Sequence, residues 1–265
     1  MESVTAIVRN ELRRLLPSTA ALVGLFAVFS ALYFSIYPDF AGDAVDDDLL
    51  DAFPEGMMEF FGIEALDTIE GFVAAELYSF FWVLLVGIYF AYTAAGTVTL
   101  DVESRKMDLT LASPVTRESV LAQKTAAMVT SVVVLNVAVA VMVYGGSRLI
   151  DEPIQPVAVV MVHLLSVPYF LVCIGLGLVL SVTLERSRTA QVTALATVFV
   201  LWLFEGVSNL DPDIEWLGYL TPSHYYSEVD VLVHEEYAFV DASILMLAFL
   251  LLYVTATQVF TERDV

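Results

Sequence analysis

Asp101-Val-Glu-Ser-Arg-Lys-Met-Asp-Leu-Thr-Leu-Ala-Ser-Pro-Val-Thr-Arg-Glu-Ser-Val-Leu-Ala-Gln-Lys124 carries eight charges and separates two apolar segments, 77–100 and 125–147, that carry none. Four of the chain's eleven basic residues fall in it: Arg105, Lys106, Arg117 and Lys124. Val102, Leu109, Leu111, Val115 and Leu121 recur often enough to predict short, partly buried helices rather than a solvated linker. Either Ser113-Pro114 or Thr116 suits the opening of the next helix, since proline fits a first helical turn and a hydroxyl fits the cap. The stretch therefore reads as a structured loop at a membrane face, shaped to meet something.

Working outward, the runs on either side are two of six that are almost free of charge: 18–37, 77–100, 125–147, 157–184, 189–208 and 242–260. Each has the roughly 20 residues that a helix needs to cross a hydrocarbon core of about 30 Å. Six continuous apolar runs do not make an alternating barrel, and helices satisfy their own backbone groups in lipid. The first run is too long for a signal peptide and shows no small-x-small cleavage site. The mean hydropathy of +0.78 and the 58% hydrophobic content agree. The expected fold is an all-α polytopic membrane protein, a single transmembrane domain over 1–265 with six transmembrane helices.

Charge then orients it. Arg9, Arg13 and Arg14 precede the first run, the four basic residues of the loop lie between the second and third, Arg186 and Arg188 between the fourth and fifth, and Arg263 after the sixth. Only Arg148 lies on the other side. The positive-inside rule puts both termini and the 101–124 loop in the cytoplasm of a cell-membrane protein. Acidic residues do the opposite, twelve between Asp39 and Glu76 and eight between Asp211 and Asp241, so the net charge of −21 belongs to the outer surface. Solubility of exposed loops in high salt accounts for such a surface, and cation capture is the sharper alternative. A lone cysteine, Cys173, excludes an internal disulfide.

Residues 1–17 predict a short amphipathic interfacial helix, with Val4, Ile7, Val8, Leu12, Leu15 and Leu16 at helical spacing and Arg9, Arg13 and Arg14 between them, turned into the first span by Pro17. The run 43–51 reads as disordered and acidic, and 57–72 as short amphipathic helices. Pro168, midway along the fourth span, predicts a kink or break and is a candidate hinge, while Gly175 and Gly177 permit close helix contact.

The chain lacks a Gly-x-x-x-x-Gly-Lys-Ser/Thr loop, a His-Glu-x-x-His motif, a Gly-x-Ser-x-Gly motif and any Cys/His set with metal spacing. No catalytic residue, metal site or cofactor is expected in it, and nothing in it calls for nucleic acid. Asn136, His163, Gln191, Glu205 and Gln258 are the polar residues within spans. His163 and Glu205 are the pathway candidates, because ionisable groups in a membrane are functional by default, although helix–helix hydrogen bonding accounts for them as well.

The run Glu103 to Arg117, with Lys124 beyond it, resembles the loop between spans two and three of type-2 ABC exporter permeases, where a Glu-bearing helix and a Leu-rich segment lead into Ser/Thr-Pro-Val-Ser/Thr-Arg. Many members carry Gly-Thr at the place of Met107-Asp108. Thr221-Pro222-Ser223-His224-Tyr225-Tyr226 and the closing Phe260-Thr-Glu-Arg263-Asp264-Val265 are similar to segments of the same family. The resemblance implies a permease paired with a separate ATPase subunit, which would hold the ATP and magnesium, and with a second permease chain. It makes 101–117 the coupling element, with Glu103, Arg105, Asp108, Leu109, Leu111, Pro114 and Arg117 as its contact residues. A stand-alone secondary transporter or channel, or a membrane anchor or assembly factor, are the alternatives of other classes.

Overall fold

The computed structural model describes residues 2–43, 56–61, 65–112 and 114–262. Most of the acidic run 43–51, Ser113 and the closing 263–265 lie outside the described residues. Most of the described residues are helical, and none of them forms a strand. Six helices are long and apolar enough to cross a membrane: Ala6–Asp39, Ile69–Glu103, Arg117–Leu149, Pro156–Thr183, Ser187–Ser208 and Phe239–Glu262, hereafter spans one to six. They coincide with the six expected runs, span four ending one residue short of its run, and spans one to three extend beyond theirs by a turn or more. Lipid rewards the apolar middle of each span, while caps and ion pairs let the backbone continue past it.

Span four is the centre of the bundle, with 72% of its apolar window buried against 17% for span six. It packs on spans two and six, span one lies on span three, and span five on span two. Gly177 of span four sits directly against the Ala91 carbonyl, Ala94 and Ala95 of span two, and Gly175 faces Leu252 and Phe249 of span six. Small residues on both sides bring spans two and four together at Gly177, while at Gly175 the glycine alone makes room for the large side chains of span six. Next to this seam lies an aromatic core in which Trp82 meets Phe26 at 5.3 Å and Phe170 at 5.2 Å, edge to face.

Three local features depart from expectation. The N-terminal segment is not a separate interfacial helix, because one helix runs from Glu2 to Asp43 through Pro17. Proline deprives the Arg13 carbonyl of its donor, but Arg13 is exposed at the end of the bundle, where water can take the vacant bond. At about 1.5 Å per residue, the 42 residues reach far beyond a hydrocarbon core of about 30 Å. Span four shows no break either, as it is a single helix from Pro156 to Thr183 with Pro168 buried inside it. Finally, 13 residues of span two, Ala74–Val86, form a π-helix between ordinary helical segments. Long π segments are rare and are found mainly at functional sites. This one sets Tyr78 and Trp82 into the core and Ser79 and Val83 toward a cavity.

Candidate functional site: the 101–124 loop

Span two ends at Glu103, and Arg105 then adopts a left-handed backbone (φ 55°) that reverses the chain into a six-residue helix, Lys106–Leu111. Of the two expected openings for span three, Thr116 is the cap: its side chain accepts from the Ser119 N–H at 3.2 Å. The short helix is anchored by Met107, fully buried, and presents Leu109, 75% exposed. Arg105, Lys106, Asp108 and Pro114 are exposed beside it, and Leu111 is half-buried. An apolar side chain this bare on a helix otherwise rimmed by charge has no role in the fold of the single chain.

The loop is fastened to its neighbours by charge. The Glu103 carboxylate accepts from the Ser187 backbone N–H (2.8 Å) and hydroxyl (2.5 Å), satisfying the open first turn of span five. Arg117 Nη1 donates to the carbonyls of Phe260 (3.0 Å) and Thr261 (3.4 Å), at the end of span six, with its guanidinium over the Phe260 ring. Lys124 is 3% exposed, and its ammonium bridges Glu11 Oε1 (2.5 Å) and Asp101 Oδ2 (2.6 Å). Arg14 closes on the other oxygen of Glu11 at 3.1 Å.

The loop therefore ties together span one, the end of span two, the starts of spans three and five and the end of span six. The expected contact residues divide into two sets. Arg105, Asp108, Leu109 and Pro114 face away from the chain, while Glu103 and Arg117 hold it to the bundle and Leu111 packs partly against the core. Glu11 and the bridging role of Lys124 were not expected from the sequence. The only signals were an acid among the bases of the first helix and a lysine at the very edge of an apolar run.

His163 and Glu205 sit in separate settings. His163 is buried against Tyr78 and Trp82. Its Nδ1 is 2.8 Å from the Val159 carbonyl, which can only accept, so Nδ1 carries the hydrogen and Nε2 faces the Tyr78 hydroxyl at 3.3 Å. Asn136 accepts from Ser166 at 3.0 Å, an interhelical tie of the kind expected for in-span polar residues. Glu205, at the far end of span five, accepts from the Thr221 hydroxyl at 2.5 Å and lies 3.4 Å from His224 Nδ1. Among the described residues no group of His, Cys, Asp and Glu is arranged to hold a metal ion.

No curated protein matches the chain. A family model described as ABC-2 family transporter protein matches residues 5–265, nearly the full length, and with six spans around a fastened loop between the second and third, the chain belongs to the ABC-2 transporter family.

Proposed function

We propose that the chain, as an ABC-2 family member a membrane subunit of an ABC transporter and not its ATPase, works in export, as a pair of such chains with two ATPase subunits in the cell membrane, both termini and the 101–124 loop cytoplasmic. ATP-driven closure of the ATPases would push on the helix Lys106–Leu111, and substrate would pass along the interface of the two permease chains. The observation that carries this reading is the bare Leu109 on a helix held from behind by Met107 and braced on both sides. Leu109, Arg105, Asp108 and Pro114 would meet the ATPase. Glu103 and Arg117 would pass its movement to spans five and six, and Pro168 is the candidate hinge in span four.

Leu109 makes the test clean, because its side chain contributes little to folding. Burial of a leucine is worth about 1.5–3 kcal/mol, so Leu109→Asp is expected to weaken ATPase retention roughly ten- to a hundredfold or more while leaving the permease inserted and folded. Co-purification and transport-coupled ATP hydrolysis measure this. Retention and coupling equal to the parent would remove Leu109 from the interface. Glu103→Ala and Arg117→Ala are expected to retain the ATPase yet lower the transport obtained per ATP.

Orientation has its own test. Arg105→Cys and Asp230→Cys, each in a Cys173→Ala background, place exposed thiols at opposite ends of the bundle. An impermeant thiol reagent on intact cells is expected to label the Asp230→Cys variant and spare the Arg105→Cys variant. The reverse pattern would invert the topology.

A further inference from the structure

At the end of the bundle away from the 101–124 loop, spans two and five, the short helices Met57–Phe61 and Glu228–Leu232, and segment 223–227 enclose a cavity of about 610 Å³. That volume suits a drug-sized molecule. One wall is aromatic. Trp202 stands 5.9 Å from Phe60 and 6.0 Å from Phe61, centroid to centroid. Gly206 makes room for it, since a Cβ there would lie 2.6 Å from the Phe60 ring. Glu205, one turn from Trp202 on span five, lines the cavity with Glu228 and Asp230, and among the described residues no lysine or arginine does. The cavity's one basic side chain, His224, is already beside Glu205.

Glu228 is the informative residue. It lines the cavity at only 9% exposure, and among the described residues no cationic group pairs with it. The Ser79 hydroxyl and its own backbone N–H are near it, together with the like charges of Asp230 and Glu205. Burial pushes its carboxyl up to about 7, despite the opposing pull of those hydrogen bonds. An acid whose folded pKa lies above its unfolded value contributes stability below the unfolded value and loses it as pH rises through the folded one. Above pH 7 Glu228 is thus a buried charge that no basic side chain among the described residues compensates, a burden to the fold that a bound cation would relieve.

We infer that this cavity binds an organic cation, an ammonium head on an apolar or aromatic body, with the head against Glu228, Glu205 and Asp230 and the body against Trp202, Phe60 and Phe61. A metal ion would use the carboxylates and leave the aromatic wall without a role. A neutral apolar ligand would leave Glu228 unpaired. The face of an indole favours a cation, so the rings and the carboxylates act together. The inference concerns binding by this chain alone and stands or falls apart from ATPase coupling.

Three probes with one body separate these cases: phenylbutylamine, phenylbutanol and phenylbutyrate. They are titrated calorimetrically at pH 8 into the full chain in lipid nanodiscs. The amine is expected to bind at least tenfold more tightly than the alcohol, and the butyrate most weakly. Glu228→Gln keeps the shape, removes the charge and is expected to melt no lower than the parent at pH 8, so it stays a folded control. In it the amine should lose about tenfold in affinity and most of its advantage over the alcohol. Trp202→Leu is expected to weaken amine and alcohol alike. Equal binding of amine and alcohol by the parent, or an amine preference unchanged in Glu228→Gln, would overturn the inference. So would Glu228-dependent stabilisation by magnesium chloride with none by the amine.

Discussion

Lys124→Met is expected to lower the unfolding temperature of the purified chain by about 10 °C. Lys124 is 3% exposed, and its two partners are nearly as deep, with side-chain exposures of 7% for Glu11 and 13% for Asp101. Methionine fills the same space but leaves two carboxylates facing one another out of water. Arg14 is 38% exposed and reaches only Glu11, so it offsets little of this. Removing one member of a buried ion pair costs about 3–5 kcal/mol, and in a chain of this size each kcal/mol moves the midpoint by about 2–4 °C. Cys173, the lone cysteine and 1% exposed, supplies the readout, since a thiol-reactive fluorophore reports its exposure on heating. Glu11→Gln and Asp101→Asn added to Lys124→Met should restore most of the loss, because neutral partners no longer repel. A single variant that melts with the parent would show that the bridge adds nothing. A triple variant no better than the single would place the loss in packing instead.

The same bridge marks where the sequence was legible and where it was not. The six spans could be read because each carries its own signal, an apolar run of membrane length. The apolar run of span three begins at Thr125, and its helix opens at Arg117, under one of the two expected caps. What could not be read is that Glu11 and Asp101 reach Lys124 from 113 and 23 residues away. No local pattern encodes such a meeting. The Thr116 cap was visible because a cap is local, whereas Pro17 misled because one missing backbone hydrogen bond does not end a helix that its neighbours hold on both sides of the proline.

The loop as a structured element was equally legible, but its outward face was not. Met107 and Leu109 differ little in apolarity, and a six-residue helix is too short for periodicity to tell the anchored side chain from the bare one. Glu228 stayed hidden for a further reason. It is one of eight acids in its segment, and its burial is set by long-range packing, in which Tyr226 donates to the Val162 carbonyl at 2.9 Å and draws the following helix onto span four. The π-helix of span two leaves no trace in composition at all.

Gly177→Leu is expected to disrupt the bundle most of all, and Gly177→Ala already tests why. A Cβ at Gly177 would strike the Ala91 carbonyl oxygen, come within 2.7 Å of the Ala94 methyl and lie 3.0 Å from the Ala95 nitrogen. Two of the three obstacles are backbone atoms of a helix, which no rotamer change can move, so spans two and four must separate along their most buried seam. Overpacking of this kind costs about 1–3 kcal/mol for a single methyl and more for a larger side chain. Helix propensity works the other way, favouring alanine over glycine by about 1 kcal/mol. The sign of the result is therefore diagnostic. Gly145 in span three has nothing within 4 Å of its would-be Cβ, so Gly145→Ala should melt at or slightly above the parent. Gly177→Ala should melt several degrees below it, and Gly177→Leu should fail to yield a monodisperse protein. If the two alanine variants move together, the close approach of spans two and four is not what holds the bundle. If only Gly177→Ala falls, the strength of the seam lies in the absence of one methyl group.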